Sequence, residues 1–319
     1  MNTKQLSDKV ILIIIIVIAF YVGIVLFSDI TSIIEQTYRI NYSYLPLIAI
    51  FMIAQIGILG IKFHRLLKKL DIILSFKESI HIFISGLSLI ITPAGIGTAI
   101  KSHILKKKYG KPISSTLSVV LIERLTELFA VLLILTFILI WVNSYESIIA
   151  VIFGYVLLFS IIMLVSNNKI FESIKRIVIK IQRIKKLSMV LDESQDSYKK
   201  LMNKKTFSEA LGWSILGKIF QFLSVYFIFI SLDVNFEWFV IGEIYHTPLI
   251  LGIISFIPSG IIVTESSMIA LLIKNNIEIS LSTLIVIFVR IVTIWIPMSV
   301  GIFALKQLHL NTSDTDDTL

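Results

Sequence analysis

The chain has 319 residues, 56% of them hydrophobic and 16% charged, and its mean hydropathy of +0.92 exceeds what a soluble globular chain of this length carries. It carries a formal charge of +8 and no cysteine, which excludes disulfides, thiolate nucleophiles and Cys-based zinc or iron–sulfur sites. The lysines cluster beside apolar stretches, where they set membrane topology and attract anionic headgroups, so the charge points to lipid and not to nucleic acid.

The first apolar stretch, Val10 to Ile30, is close to the ~20 residues that cross a bilayer core and is read as a retained span, not a removable signal peptide. Further crossings are predicted at Ser43 to Phe63, Ile113 to Val142, Ser147 to Val165, Ser208 to Ser231 and Ser280 to Leu305. Two more apolar regions, Glu78 to Ile100 and Trp238 to Ile273, are broken near their middles, the first by Pro93, Gly95 and Gly97, the second by Pro258 and Gly260. Lys62, Arg65, Lys68, Lys69 and Lys77 precede the first of these, and Lys101, Lys106, Lys107, Lys108 and Lys111 follow it. A straight crossing would export one of those basic clusters, whereas a re-entrant hairpin keeps both cytoplasmic. The breaks then turn the chain inside the membrane, where protein or a water-filled cavity must cover the freed backbone groups.

The second broken region repeats the first. Glu78, His81, Pro93 and Gly95 match Glu243, His246, Pro258 and Gly260 at a constant offset of 165, and Arg124 matches Arg290 at 166. Residues 43–142 and 208–307 are therefore read as two copies of one unit, inverted relative to each other because the basic loops lie inside and the acidic loops outside. The predicted fold is an all-α polytopic membrane protein with about six full spans and two re-entrant helical hairpins. A single transmembrane domain covers 1–310, with both termini cytoplasmic and the protein in the cell membrane. Its copies are joined by a basic cytoplasmic linker, 167–207, in which Ile170, Ile174, Ile177, Ile181 and Ile184 at helical spacing suit either an interfacial amphipathic helix or a plain connector that snorkels its lysines. Residues 311–319 form a polar, frayed tail.

Arg290 lies ten residues into its span from Ser280, or ~15 Å at helical rise, and Glu123, Arg124 and Glu127 lie at similar depth in theirs. A charge there costs at least ~2.5–3.5 kcal/mol, so these groups should face a partner or a cavity. Arg124 and Glu127 can pair at i and i+3, which leaves two carboxylates on one arginine and a net negative cluster unless Arg290, Lys101 or a proton balances it. Two readings stay open for the cluster: an ion-pair network that fixes helix packing, or a site where guanidinium groups meet a phosphate. The two Pro-x-Gly breaks are expected to leave free amides at the start of the next helix, which also favours an anion. The Glu-x-x-His pairs would face opposite sides of the membrane in inverted copies, which argues against a metal centre and for a hairpin-mouth or capping role. Neither a Walker-type loop nor a dinucleotide fingerprint is found, so no cofactor is expected.

"TPAGIGTAIK" with "VLIERLTEL", and "IPSGIIVTESSMIALL" with "FVRIVT", resemble the paired signatures of the lysylphosphatidylglycerol synthase transmembrane-region family, also called flippase-like domain proteins. The resemblance covers nearly the whole chain. It implies site positions Pro93, Gly95, Gly97, Lys101, Glu123, Arg124, Pro258, Gly260, Glu265 and Arg290, and it implies movement of a lipid between leaflets. In the bacterial multiple peptide resistance factor the resembled domain precedes an aminoacyl transferase, and archaeal relatives are joined to glycosyltransferases acting on polyprenyl phosphates. No soluble catalytic domain is expected to follow here. Thr98 stands where the family usually has Glu, Lys101 where it has Arg, and Thr264 where a basic residue is common, departures that bear on headgroup specificity.

The reading is thus a non-enzymatic flippase for an anionic phospholipid or a polyprenyl-phosphate-linked substrate, with Arg124, Arg290, Glu123, Glu127, Lys101 and Glu265 around the headgroup. Two alternatives are a membrane-embedded transferase with Glu123 or Glu127 as general base, and a non-catalytic partner of a separate synthase or glycosyltransferase.

Overall fold

The computed structural model describes residues 23, 30–92, 96–167 and 196–316. Pro93, Gly95, the amphipathic stretch 170–184 and, apart from Gly23 and Ile30, the first predicted span lie outside the described residues. The described residues are helical and contain no strand. Among the described residues, four helices are long and apolar enough to cross a membrane: Tyr42–Lys69, Tyr145–Ser166, Lys204–Ser231 and Ile279–Leu308. The predicted crossing at Ile113 to Val142 is a 26-residue helix, Ile113–Ile138, set apart from those four by the three charges at its middle.

A short helix, α1 (Ile30–Tyr38), precedes the first repeat unit. That unit contains α2 (Leu45–Lys69), α3 (Phe76–Gly86), α4 (Ile100–Tyr109) and α5 (Ile113–Ile138). After α6 (Tyr145–Ser166), the order recurs as α7 (Lys204–Ser231), α8 (Trp238–Ile254), α9 (Val263–Lys274) and α10 (Ile279–Arg290), which continues through a π-helical turn, Ile291–Trp295, into α11 (Ile296–Asp316). Backbone closures also repeat. The turn leaving α2 puts Asp71 at φ 58° with its amide on the Lys68 carbonyl and the Ile72 amide on Leu67. The turn leaving α7 does the same with Asp233, Ile230, Val234 and Phe229. A short polar side chain tolerates the left-handed position that ends each helix, so an aspartate suffices where glycine is commoner.

In copy one, Ser75 caps α3: its hydroxyl accepts from the Glu78 amide while the Glu78 carboxylate accepts from the Ser75 amide. Gly110, at φ 64°, ends α4 and lets Pro112 start α5 directly. Pro297 has no N–H to close the turn before it, and the wider π-turn directly after Arg290 accommodates its ring. Helix α11 runs to Asp316, so the backbone stays helical beyond Leu310, where the sequence suggests a frayed tail.

The first helices of the two copies, α2 and α7, pack along each other antiparallel, with Tyr44 stacked on Phe227 near one end and Arg65 paired with Glu209 near the other. Around them the contacts are reciprocal: α8 packs on α5, and α3 packs on α11. In each copy the two short helices pack on each other, α3 with α4 and α8 with α9. Most of copy one and α6 share one apolar core, and copy two has a second. A small third cluster joins the two breaks, where Ile91 meets Ile261 beside Trp295 and Met298.

Candidate functional site

The centre of α5 carries Glu123, Arg124 and Glu127, and three other helices bring cations to it. Lys101, in the first turn of α4, reaches Glu123 with Nζ 2.5 Å from Oε2, both side chains almost entirely buried. Its stem crosses α3 at Gly86, where a Cβ would come within 2.6 Å of Lys101 Cγ, and its ammonium lies 4.6 Å from the Phe63 ring. From α2, Lys62 donates to Glu127 Oε1 at 2.9 Å and to Ser214 Oγ of α7 at 3.0 Å. Arg124 donates to the other Glu127 oxygen at 3.0 Å and to Thr98 Oγ1 at 3.2 Å. Lys218 of α7 donates to Gln221 at 2.8 Å and makes no ion pair among the described residues.

Arg124, Glu127 and Lys218 form one pole of a cavity of about 400 Å³ whose remaining wall is apolar, including Leu121, Leu157, Ile161 and Phe256. The cluster as a whole sets four cations, Lys62, Lys101, Arg124 and Lys218, against two carboxylates, Glu123 and Glu127, a formal excess of two positive charges. The sequence reading left the cluster negative unless Arg290, Lys101 or a proton balanced it; Lys101 pairs with Glu123, and Lys62 and Lys218, which that reading did not count, carry the formal sum past neutrality.

Copy two places its charges the other way round. Glu265, in the first turn of α9, is fully buried with Oε1 2.7 Å from Arg290 Nε. Lys101 and Glu265 thus occupy corresponding places, just after the break, and each pairs with the middle of the next long helix. The Arg290 side chain is only 4% exposed, against 31% for Arg124. Arg124 pairs with Glu127 and Arg290 with Glu265, each with an acid of its own half.

The breaks themselves touch: Ser259 Oγ donates to the Ile90 carbonyl at 3.1 Å. Phe256, Ser259, Gly260 and Ile262 all have φ between 49° and 76°, a conformation strained for Phe and above all for β-branched Ile. Gly260 lies against Gly252 of α8 so closely that a Cβ on it would meet the Gly252 Cα at 2.7 Å. The free amides expected after this break are not found at Gly260, Ile261 or Thr264, which donate to Ile257, Pro258 and Gly260.

The family model for the lysylphosphatidylglycerol synthase TM region matches residues 12–301. The chain belongs to this family. It is also similar to two membrane proteins of Methanocaldococcus jannaschii. UPF0104 membrane protein MJ1595 is 25% identical over 315 residues, covering 92% of this chain and 93% of the relative. UPF0104 membrane protein MJ1078 is 27% identical over 214 residues, covering 64% of this chain and 86% of the relative.

Of the site positions predicted for this member of the lysylphosphatidylglycerol synthase TM-region family, the structure brings Lys101, Glu123, Arg124 and Glu127 into one cluster and Glu265 with Arg290 into another. Gly97 lies in the short 3-10 turn Ile96–Ala99 that leads into α4, and Pro258 and Gly260 lie at the break before α9. Thr98 contacts Arg124 in copy one as Glu265 contacts Arg290 in copy two. Among the described residues, no three His, Asp or Glu side chains gather as a metal site. Glu78 caps α3 and accepts from Tyr109, His81 bonds the Ala304 carbonyl, Glu243 accepts from Ser147 and His246 bonds the Gly242 carbonyl.

Sequence reasoning missed Lys62 and Lys218. Lys218 sits ten residues past Ser208, as deep as Arg290 in its span, and the same depth argument identifies it. Lys62 looked like part of the basic flank because the apolar window ends at Phe63, whereas α2 continues for nearly two more turns to Lys69.

Proposed function

We propose that this chain moves an anionic lipid, a phospholipid or a polyprenyl-phosphate-linked substrate, between leaflets, with the phosphate held at the Arg124–Lys218 pole and the tail along the cavity's apolar wall. In this reading the copies are inverted, α3–α4 and α8–α9 are re-entrant hairpins entering from opposite faces, and their touching breaks form the gates. Both termini face the cytoplasm and the protein sits in the cell membrane.

The observation that carries the proposal is the mismatch in the first cluster: two positive charges in excess at the polar end of an apolar cavity about 400 Å³ in volume. Each unbalanced charge at membrane depth costs at least ~2.5–3.5 kcal/mol, so a purely structural network would be expected to come to neutrality. A phosphate restores neutrality, and Arg124, nearly a third exposed, is the donor whose planar fork suits it. In copy two the corresponding arginine is committed to Glu265 and serves as a packing pair in this state. A transferase reading is weaker on the same geometry. Glu123 is held by Lys101, and Glu127 by Lys62 and Arg124, so each carboxylate is already engaged by cations of the protein.

The test is reconstitution in liposomes carrying fluorescent phosphatidylglycerol, with inner-leaflet label followed as it reaches an external quencher. Losing one charge-assisted contact, about 1.5–3 kcal/mol, should slow transfer by roughly 10–100-fold in Arg124→Gln. An unchanged rate would remove Arg124 from the site.

A further inference from the structure

A second basic feature lies outside the cavity. On α2, Lys62, Arg65 and Lys69 recur at three- and four-residue spacing on the face turned to α7. Arg65 Nη1 lies 2.5 Å from Glu209 Oε1 of α7, and Lys69 Nζ lies 3.5 Å from the other Glu209 oxygen. The Arg65 guanidinium also lies 5.4 Å from the centre of the Trp213 ring. Arg65, Lys69, Glu209 and Trp213, with His64 and Lys68, line an open groove of about 740 Å³, well within the range of ligand-binding clefts. Arg65, Lys68 and Lys69 face a single carboxylate there, and the Arg65 and Lys69 side chains are 53% and 39% exposed, so their heads are accessible. A narrower cleft, lined by Lys69, Arg65, Trp213 and Lys62, continues from the groove toward the ammonium that holds Glu127.

We propose that this groove docks the phosphate headgroup of an anionic phospholipid at the membrane surface. Its position selects a lipid. The groove lies where one candidate span ends, at Lys69, and an antiparallel one begins, at Lys204, so it sits at one face of the bilayer. A tryptophan beside basic residues at that level is the usual setting of a headgroup contact. Arg65 is oriented by Trp213 and Glu209 before any ligand arrives, and the excess of two fixed positive charges matches a phosphate and not a zwitterionic headgroup. The row of cations from Lys69 to Lys62 puts this surface site in line with the buried cluster.

The test reads binding without transport, so its result stands whether or not lipid crosses the bilayer. In a variant retaining only Trp213, with Trp141, Trp238 and Trp295 changed to Phe, fluorescence is quenched by brominated phosphatidylglycerol or brominated phosphatidylcholine in mixed vesicles. We expect half-quenching at roughly tenfold lower mole fraction for phosphatidylglycerol, and loss of that preference in Arg65→Gln/Lys69→Gln. If the double variant does not fold, Glu209→Gln decides, because removing the competing carboxylate should strengthen the preference. Equal quenching by the two lipids, a preference that survives the double substitution, or a weaker preference in Glu209→Gln would each overturn the proposal.

Discussion

The two halves repeat the same order of helices, the same aspartate-closed turns and the same break, yet they treat their central charges differently. In copy one the short helix after the break contributes a cation, Lys101, and α5 contributes the carboxylate Glu123; in copy two the short helix contributes Glu265 and α10 contributes Arg290. Copy two thereby reaches a one-to-one pair sealed from water, whereas copy one gathers four cations around two acids and opens onto a cavity. The contrast separates what the repeat needs from what the site needs. A buried ion pair that ties the short helix after the break to its neighbour is common to both halves; surplus positive charge facing a cavity belongs to one. Thr98 marks the divergence: a glutamate there would neutralise Arg124 as Glu265 neutralises Arg290, and the hydroxyl leaves the guanidinium available.

That contrast can be broken most severely in copy two. Arg290→Ala removes the cation paired with a buried carboxylate and should cost about 3–5 kcal/mol, seen as a fall in the thermal unfolding temperature of the detergent-solubilised protein. Arg290→Glu combined with Glu265→Arg should recover part of it. In copy one, Thr98→Glu should give the cluster the balance of copy two and slow lipid transfer roughly tenfold or more while leaving thermal stability the same or higher. Lys218→Met should slow transfer less, by up to about tenfold, and raise the unfolding temperature slightly, because it removes a charge with no ion-pair partner among the described residues. The smallest effect belongs to the mouth of the first hairpin. Hydrogen bonds from Ser75 and then Tyr109 hold the Glu78 carboxyl below its ordinary value, so their contribution is present above that value and lost as pH falls through the lowered one. Tyr109→Phe should cost below about 1 kcal/mol at neutral pH, and the difference from the parent protein should vanish under acid conditions.

Much of this was legible in the sequence because the costs that reveal it are local. Pro258 and Gly260 interrupt an apolar run, Arg290 sits at unaffordable depth, and the spacing between the two Pro-x-Gly breaks exposes the duplication. Pairing across helices is not local. Nothing in the spacing says that Lys101 seeks Glu123 while Arg290 seeks Glu265, since that depends on how each short helix lies against the next long one. Lys62 escaped for a related reason: a hydropathy window ends where polar residues begin, but α2 continues as a helix to Lys69, and this carries the lysine into the protein interior. The two breaks meeting at Ile91 and Ile261 was likewise a tertiary outcome.

Alternating access depends on the hairpins opening toward opposite faces of the membrane, and the native lack of cysteine makes this directly measurable. Single cysteines at exposed Lys77, at the mouth of the first hairpin, and at exposed Glu237, at the mouth of the second, can be labelled with a membrane-impermeant maleimide in intact and opened cells. We predict that Glu237→Cys is labelled in intact cells and Lys77→Cys only after the membrane is opened. Labelling of both from the same side would contradict the inverted arrangement and the transport proposed from it.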